Sequence, residues 1–281
     1  MNIAAALDTA RELLAQSGIA DPRREAVSLL VFALRRSSTF LIAHPEYELT
    51  ATETGLFNVC VNRRSNREPF QYIVGYQEFY GLDFEVSPDV LIPRPETETL
   101  VEDAIDTLQK LSNPRFCEIG VGSGCISVSI LYNVKTSTAI GIDISDKALA
   151  IARHNAAKHQ VEDRVKFIEG NVFGGLVDKF DVIVSNPPYI PDGDVPELQP
   201  EVVDYEPHRA LDGGTDGLDV IRRIVVDSPE HLAPRGVLLI EIGFGQSDAV
   251  ARLLDPSIWE SHVFLPDLQG VPRVLKAGVR S

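Results

Sequence analysis

The tetrapeptide Asn186-Pro187-Pro188-Tyr189 is the segment whose residue types are best suited to chemistry. Its two prolines fix the backbone and remove two N–H donors, so that the segment presents carbonyl oxygens to its surroundings. The side-chain carbonyl of Asn186 and the backbone carbonyl of Pro187 can each accept one hydrogen of an –NH₂ group. Tyr189 adds an aromatic face against which a planar group can pack. The tetrapeptide therefore predicts a catalytic site for an amide or amine nitrogen.

An amide or exocyclic amino nitrogen is a poor nucleophile because its lone pair is delocalised. Two carbonyl acceptors would orient the group and favour the positive charge that develops on the nitrogen as it attacks a methyl carbon. Alignment for in-line transfer supplies much of the remaining rate enhancement. No strongly basic side chain is required, since the methylated nitrogen becomes acidic and loses its proton late. The structural alternative is a rigid Pro-Pro turn after a strand.

Upstream of the tetrapeptide, residues 117–125 form a glycine-rich segment at the expected junction of a strand and a helix. Glycine lets the backbone approach a ligand closely, although an ordinary tight turn is the structural alternative. A dinucleotide-binding fingerprint would need its third glycine at position 125, which is Cys125. The spacing E-x-G-x-G-x-G instead resembles motif I of class I methyltransferases, which bind S-adenosylmethionine. The expected cofactor contacts in this segment are Gly120, Val121, Gly122, Ser123 and Gly124.

Three further residues follow at the ends of the next two predicted strands. Asp143 ends the first of them, where open α/β sheets hold a ribose diol, and a carboxylate can accept both hydroxyl hydrogens. Asn171 follows the second, where its amide can hydrogen-bond an adenine edge while Val172 packs on the ring. A helix N-terminal charge and a loop asparagine are the structural alternatives for Asp143 and Asn171. The order of loop, acid and amide at three successive strand ends favours a cofactor site.

The elements that would position these residues alternate between strand and helix after Glu96. Such alternation is typical of right-handed crossovers and a mostly parallel sheet with helices on both faces. Two closing segments, 261–265 and 271–276, could pair as an antiparallel edge. The predicted strands are Phe116–Ile119, Ala139–Asp143, Val165–Glu169, Asp181–Ser185 and Val237–Ile242, and the helical segments include Ser145–His159 and Gly217–Val226.

The first third of the chain has a different pattern. Apolar residues recur at helical spacing through residues 1–75, which indicates a small helical domain. Asp21 before Pro22 predicts one helix start, and Thr50 with Glu53 predicts a capping box at another. Residues 76–95 alternate like strands and end in Ile92-Pro93-Arg94-Pro95, which cannot be helical, so they indicate a β-hairpin linker. Residues 96–281 then form the α/β domain.

Charge and composition disfavour several classes of function. The 281 residues include 26 basic and 41 acidic side chains, a net charge of −15 that repels phosphate backbones and disfavours a direct nucleic-acid partner. No apolar run is long enough to cross a bilayer and no signal-peptide centre is evident, so we expect a cytoplasmic protein without a membrane partner. The three cysteines form no CxxC pair or Cys/His cluster, and no metal site is predicted.

Taken with the tetrapeptide, several further segments carry a family resemblance that covers nearly the whole chain. They are Glu68–Gly75, Phe79–Leu82, Leu91–Glu98, Tyr205–Pro207 and Ala210–Gly214. The chain resembles the peptide chain release factor N5-glutamine methyltransferases, the PrmC/HemK family. The combination is more specific than the tetrapeptide alone, which adenine-N6 DNA methyltransferases share.

The resemblance implies a helical N-terminal domain, a β-hairpin linker and a Rossmann-like, seven-stranded class I methyltransferase domain. It also implies that the glutamine of the Gly-Gly-Gln motif in release factors is methylated at N5, with S-adenosylmethionine as donor. Cofactor contacts are implied at Gly120–Gly124, Asp143, Asn171, Val172 and Asn186, and the glutamine is expected between Asn186 and Tyr189.

A few positions depart from the family pattern, and three other functions stay open. Asn171 stands where many relatives have aspartate, Val172 where some have an aromatic residue, and His208 where arginine is frequent. The first two changes bear on adenine contacts and the third on substrate docking. The other functions are a glutamine methyltransferase for a ribosomal protein, an adenine-N6 DNA methyltransferase, and a non-catalytic module that binds S-adenosylmethionine.

Overall fold

Five helices form the N-terminal part of the computed structural model, which describes residues 1–280. The Asp21 side chain accepts a hydrogen bond from the Arg24 N–H at 3.2 Å, and Thr50 and Glu53 form a reciprocal capping box. Both predicted helix starts are therefore confirmed. The helices are α1 Ile3–Gln16, α2 Pro22–Leu34, α3 Ser38–Ala43, α4 Ala51–Ser65 and α5 Phe70–Val74.

The predicted hairpin is confirmed as a two-stranded sheet of β1 Tyr76–Phe79 and β2 Leu82–Glu85. Its turn places Tyr80 and Gly81 at positive φ, 52° and 75°, which suits the tight reversal of a two-residue connection. Phe79 and Phe84 are buried in the same apolar cluster as residues of the large sheet.

A seven-stranded sheet has the order β5-β4-β3-β6-β7-β9-β8. Strands β3 to β7 pair in parallel, while β9 pairs antiparallel with both β7 and β8. The predicted antiparallel pairing of the two closing segments is confirmed. The sequence did not indicate that the last strand, β9, lies between β7 and β8. The strands are β3 Arg115–Ile119, β4 Thr138–Asp143, β5 Val165–Glu169, β6 Phe180–Ser185, β7 Leu232–Glu241, β8 Trp259–Pro266 and β9 Pro272–Val279.

Two apolar clusters bury the sheet, and helices pack against both. The predicted α/β, Rossmann-like class with a helical N-terminal region is therefore confirmed. The helix expected at Gly217 begins two residues later, because Gly217 has φ +73° and Leu218 caps the helix. The remaining helices are α6 Glu98–Leu108, α7 Cys125–Asn133, α8 Asp146–Lys158, α9 Pro200–Val203, α10 Asp219–Asp227 and α11 Ser247–Ala251.

Strand order changes direction between β3 and β6. From β3 the chain continues outward to β4 and β5, and then returns to place β6 on the other side of β3. Ligands of open α/β sheets bind in the crevice at such a switch point, outside the carboxyl ends of the strands. The fold thus brings the glycine-rich segment after β3 and the tetrapeptide after β6 to the same place.

The contacts divide the chain into two units. One contains Met1–Tyr76 together with Gln199–Tyr205, and the other contains Gln77–Leu198 and the chain from Glu206 onward. The boundaries 1–75, 76–95 and 96–281 stay predictions. The inclusion of 199–205 with the N-terminal helices had no signal in the local sequence pattern.

A buried arginine explains how segment 199–205 is held. The Arg64 side chain, 7% exposed, forms ion pairs with Glu25 and with Glu201 of α9. Glu201 also accepts a hydrogen bond from Arg67 at 2.6 Å. Although burial disfavours its charge, these hydrogen bonds hold the pKa of Glu201 below its usual value. The Tyr205 hydroxyl adds a bond to the Asn66 carbonyl at 2.7 Å.

Replacement of this arginine tests the role of the ion pairs. Arg64→Met should destabilise the protein by about 3 kcal/mol, because it leaves two carboxylates in a partly buried site without their common partner. Urea unfolding followed by circular dichroism measures the loss. Arg11→Met is the matched control, since Arg11 is largely exposed and its change should stay within about 0.5 kcal/mol. Equal effects of the two substitutions would contradict the assignment.

Candidate active site

The glycine-rich loop after β3 bends back over the end of β4. The N–H groups of Gly120 and Val121 donate to the Ile142 carbonyl at 2.8 and 3.3 Å. Gly124 has φ +80°, and a Cβ there would lie 3.0 Å from the Cβ of Ala152 in α8. Only glycine therefore allows this turn and this helix to be so close. A Cβ at Gly122 would have no neighbour within 4 Å, so the backbone there is accessible to a ligand.

The Asp143 carboxylate stabilises the glycine-rich loop through two hydrogen bonds. One oxygen accepts the Gly122 N–H at 2.9 Å, and the other accepts the Ser145 N–H at the start of α8, also at 2.9 Å. A carboxylate oxygen has more than one acceptor site, so Asp143 can still bind hydroxyl groups of a ligand. The carboxylate predicted to hold a ribose is thus also a structural part of the glycine loop.

The tetrapeptide follows β6, and its Asn186 side chain has a defined orientation. The amide nitrogen of Asn186 donates to the Thr97 hydroxyl at 3.1 Å, and Thr97 is 2% exposed. The Asn186 side-chain carbonyl is consequently left to accept from a ligand. The backbone carbonyl of Asn186 lies 3.8 Å from the position of a Cβ built on Gly120. Loop and tetrapeptide are therefore neighbours.

The far end of the tetrapeptide is fixed at two atoms of Tyr189. Its backbone carbonyl accepts the Gln246 side-chain amide at 2.9 Å, and its hydroxyl donates to Glu241 at 3.4 Å. Burial and the adjacent Glu241 charge raise the pKa of Tyr189, so the phenol stays protonated. Tyr189 is consequently a hydrogen-bond donor and a packing surface rather than a base.

Two carboxylates are fully buried behind these segments. Burial raises the pKa of Glu118 in β3 to about 8, against hydrogen bonds from the side chain and backbone of Ser127. Burial likewise raises the pKa of Glu241 at the end of β7 to about 7, against hydrogen bonds from Thr97 and Tyr189. Strongly perturbed carboxylates are concentrated at functional sites in proteins.

A cavity of about 470 Å³ opens along this edge of the sheet, a size typical of small-molecule sites. Most of the residues predicted from the sequence line it. Gly124, Pro187 and Tyr189 are not among the lining residues. The predicted residues on the wall are Gly120, Val121, Gly122, Ser123, Asp143, Asn171, Val172, Asn186 and Pro188.

Asn171 and Val172 also line this cavity. The Asn171 side-chain carbonyl accepts the Arg223 guanidinium at 3.0 Å and retains a second lone pair. Val172 is buried at φ +56°, an unfavourable conformation for a β-branched residue. Backbone strain of this kind is concentrated at ligand sites, which agrees with the predicted place of these two residues.

Several cavity residues come from the segment 89–97, which local sequence reasoning did not assign to the site. Buried Glu206 accepts the Ile92 N–H at 3.1 Å and pairs with Arg94, which fixes this segment on the wall. The signal that could have found them is the longer motif Leu91–Glu98 together with Tyr205–Pro207. His208 is largely exposed beside Asp212 and is one of the residues that line the cavity.

The arrangement defines a class of protein. A parallel sheet with a positive-φ glycine loop after one strand, an acid after the next and a carbonyl-bearing tetrapeptide at the switch point is a class I methyltransferase fold. A methyltransferase from Pyrococcus furiosus has this fold, with a TM-score of 0.54 and 18% identity over 78% of this chain and 98% of that one.

Sequence comparisons identify the family. Residues 5–75 match the PrmC N-terminal domain, and residues 98–204 match the methyltransferase small domain. The release factor glutamine methyltransferase of Koribacter versatilis is 40% identical over 98% of both chains. That of Geobacter sulfurreducens is 43% identical over 96% of this chain and 94% of its own. The chain belongs to the release factor glutamine methyltransferase family, whose members use S-adenosylmethionine.

The described residues fit this cofactor. The cavity combines an open glycine backbone, a carboxylate with free acceptor sites at Asp143, and apolar surface from Ala148 and Val172. A nucleoside needs this combination of hydroxyl acceptors and an apolar face. Within residues 1–280, no group of three or more His, Cys, Asp or Glu side chains could hold a metal ion. No helix in that range is long and apolar enough to span a membrane.

Asp143→Asn tests whether the Asp143 carboxylate acts through its specific hydrogen bonds to the glycine loop and the cofactor or only through its negative charge. One oxygen becomes an –NH₂ group that must face a backbone N–H, so S-adenosylmethionine affinity should fall by about 10-fold or more. Calorimetric titration with S-adenosylmethionine measures the change. Asp146→Asn, an exposed change three residues away, should bind as the wild type does. Wild-type affinity in Asp143→Asn would exclude the proposed contact.

Proposed function

We propose that this protein transfers a methyl group from S-adenosylmethionine to N5 of the glutamine in the Gly-Gly-Gln motif of peptide chain release factors. The observation that carries the proposal is the bond from the Asn186 amide nitrogen to Thr97, which leaves the Asn186 carbonyl as an acceptor. A glutamine side chain ends in an –NH₂ group that needs such acceptors. Family membership supports the same substrate.

The cofactor side of the cavity is assigned to the residues predicted from the sequence. The backbone of Gly120–Gly124 would bind the amino-acid part of S-adenosylmethionine, Asp143 the ribose, and Asn171 with Val172 the adenine. When bound, this cofactor supplies an electrophilic methyl group. The residues of the chain exclude water from it, since the cavity wall is mostly apolar.

The tetrapeptide acts on the glutamine amide. The carbonyls of Asn186 and Pro187 accept one amide hydrogen each, which fixes the plane of the group and the direction of its nitrogen lone pair. Both acceptors also stabilise positive charge on that nitrogen as the new bond forms. Pro188 keeps the backbone rigid. Tyr189, held by Gln246 and Glu241, fixes the far end of the tetrapeptide. The proton leaves to solvent after transfer, because the methylated nitrogen is acidic.

The release factor is favoured over the other candidate substrates. A net charge of −15 repels DNA, and base flipping would need a basic recognition surface. The N-terminal helices and the Leu91–Glu98 segment favour a release factor over a ribosomal protein. We further propose that the enzyme acts in the cytoplasm, without direct contact with nucleic acid or membrane.

A methyl-transfer assay with radiolabelled S-adenosylmethionine tests the choice of substrate. Purified release factor, a large-subunit ribosomal protein and duplex oligonucleotides are compared at equal concentration. We expect label in the release factor at the glutamine of its Gly-Gly-Gln motif, located by mass spectrometry. Label only in the ribosomal protein, or DNA methylation at a comparable rate, would overturn the proposal.

Asn186→Ala tests the acceptor role of the tetrapeptide. Loss of one of two carbonyls that stabilise the transition state should reduce kcat by about 10²- to 10³-fold. Single-turnover kinetics with release factor measure the loss, and calorimetry should show a smaller change in S-adenosylmethionine affinity. Asn133→Ala, an exposed change at the end of α7, is the control for a generic asparagine substitution. Survival of transfer in Asn186→Ala would show that the mechanism is wrong.

A further inference from the structure

Asn155, in the second half of α8, is fully buried, and both polar atoms of its side chain are hydrogen-bonded. Its Oδ1 accepts the Glu85 N–H at 2.8 Å. Its nitrogen donates to the Glu85 carbonyl at 3.0 Å and to the Ser123 carbonyl at 2.9 Å. Both amide hydrogens are thus used inside the protein. An apolar residue would bury this face of α8 without such bonds, so the amide requires another reason.

The two partners of Asn155 belong to different parts of the chain. Glu85 is the last residue of β2, in the hairpin that follows the N-terminal helices. Ser123 lies in the glycine loop after β3 and lines the cofactor cavity. Neither Asn155 nor any residue of β2 lines that cavity. Asn155 therefore connects the hairpin to the cofactor site from outside the site.

The hairpin offers a firm anchor for such a connection. Phe84, next to Glu85, is fully buried and packs edge-on against Phe79 with ring centroids 6.1 Å apart. One residue earlier, the Asp83 carbonyl lies 2.9 Å from the Nε2 atom of His159, which caps α8. The backbone at Glu85 is consequently held against α8 by core packing and by its neighbour, independently of the glycine loop.

At the other end, the bond from α8 fixes the orientation of one peptide group. The Ser123 carbonyl belongs to the same peptide as the Gly124 N–H, which donates to the Val121 carbonyl at 2.9 Å. Gly124 has φ +80°, and glycine has many alternatives to this conformation. The Gly122 N–H is held separately, by Asp143. The loop thus depends on two side chains, one at the end of β4 and one in α8.

We propose that Asn155 is a positioning residue for the cofactor, which transmits the fixed position of β2 to the glycine loop and holds that loop in the conformation that binds S-adenosylmethionine. The proposal concerns the cofactor side of the site and does not depend on which substrate is methylated. It makes the hairpin a part of the cofactor-binding apparatus although the hairpin does not contact the cavity.

Two measurable consequences follow from this connection. A loop that spends only part of its time in the binding conformation has an apparent affinity reduced by that fraction. Coupling between two sites is also reciprocal, so bound S-adenosylmethionine must stabilise the attachment of β2 to the same extent that β2 favours binding.

Asn155→Leu tests the first consequence, because leucine has a similar volume and makes no hydrogen bond. S-adenosylmethionine affinity, measured by calorimetry well below the unfolding transition, should fall by about 10-fold, as for a loop that is competent about a tenth of the time. In methyl transfer, KM for S-adenosylmethionine should rise similarly. The kcat at saturating cofactor should stay within about twofold of wild type, since Asn155 does not touch the tetrapeptide.

Leu108→Ala is the control for lower stability alone. Leu108 is fully buried at the end of α6, remote from the cavity, and its truncation destabilises the core. This variant should bind S-adenosylmethionine as the wild type does, while urea unfolding shows its loss of stability. Equal losses of affinity in the two variants, or wild-type affinity in folded Asn155→Leu, would overturn the inference.

Hydrogen exchange in the wild type tests the second consequence and needs no variant to fold. S-adenosylmethionine should slow exchange of the Glu85 amide and the other amides of β2 several-fold, and more than in β8, an edge strand at the far end of the sheet. Protection of the glycine loop with no change in β2 would contradict the connection. Absence of glutamine methylation in a protein that shows this protection would instead overturn the proposed function.

Discussion

The hydrogen bond from the Asn186 amide nitrogen to the Thr97 hydroxyl decides what the site can recognise. An asparagine side chain carries an –NH₂ donor and a carbonyl acceptor of nearly equal shape. Without a fixed hydrogen-bond partner, the side chain could present either group to a ligand. With its nitrogen bound, Asn186 presents only the carbonyl. Pro187 has no N–H to compete, and in the proposed function its own carbonyl is the second acceptor. Selectivity for –NH₂ over a carbonyl oxygen would then follow from the orientation of Asn186.

The sheet topology places the tetrapeptide next to the glycine loop, as a reaction between a cofactor and a substrate requires. Strand order reverses between β3 and β6, so the loop of the first and the tetrapeptide of the second meet at one crevice. Asp143 ties the glycine loop to the start of α8 from the other side. Cofactor and acceptor sites are therefore fixed to neighbouring strands, which limits their relative motion and favours in-line transfer.

Local pattern predicted the parallel strands and placed the glycine loop, Asp143 and the tetrapeptide at strand ends, because hydrophobic periodicity and turn residues act over a few positions. The roles of these residues in binding and catalysis stay predictions. It could not predict that β9 inserts between β7 and β8, or that residues 199–205 join the N-terminal helices. It also missed Thr97 and Glu241 as partners of the tetrapeptide. Each of these depends on a pairing between residues far apart in the sequence, which local hydrophobic periodicity does not encode.

Two buried carboxylates show how stability and function are balanced at the edge of the sheet where the cavity lies. Glu118 and Glu241 each lie on a strand of the central sheet with one oxygen unsatisfied, where an apolar residue would be the more stable choice. Glu118 accepts two hydrogen bonds from Ser127 near the start of α7, and Glu241 accepts from Tyr189. Both thus orient segments that surround the cavity. Unfavourable burial of an ionisable group is retained where it directs hydrogen bonds that an apolar core could not direct.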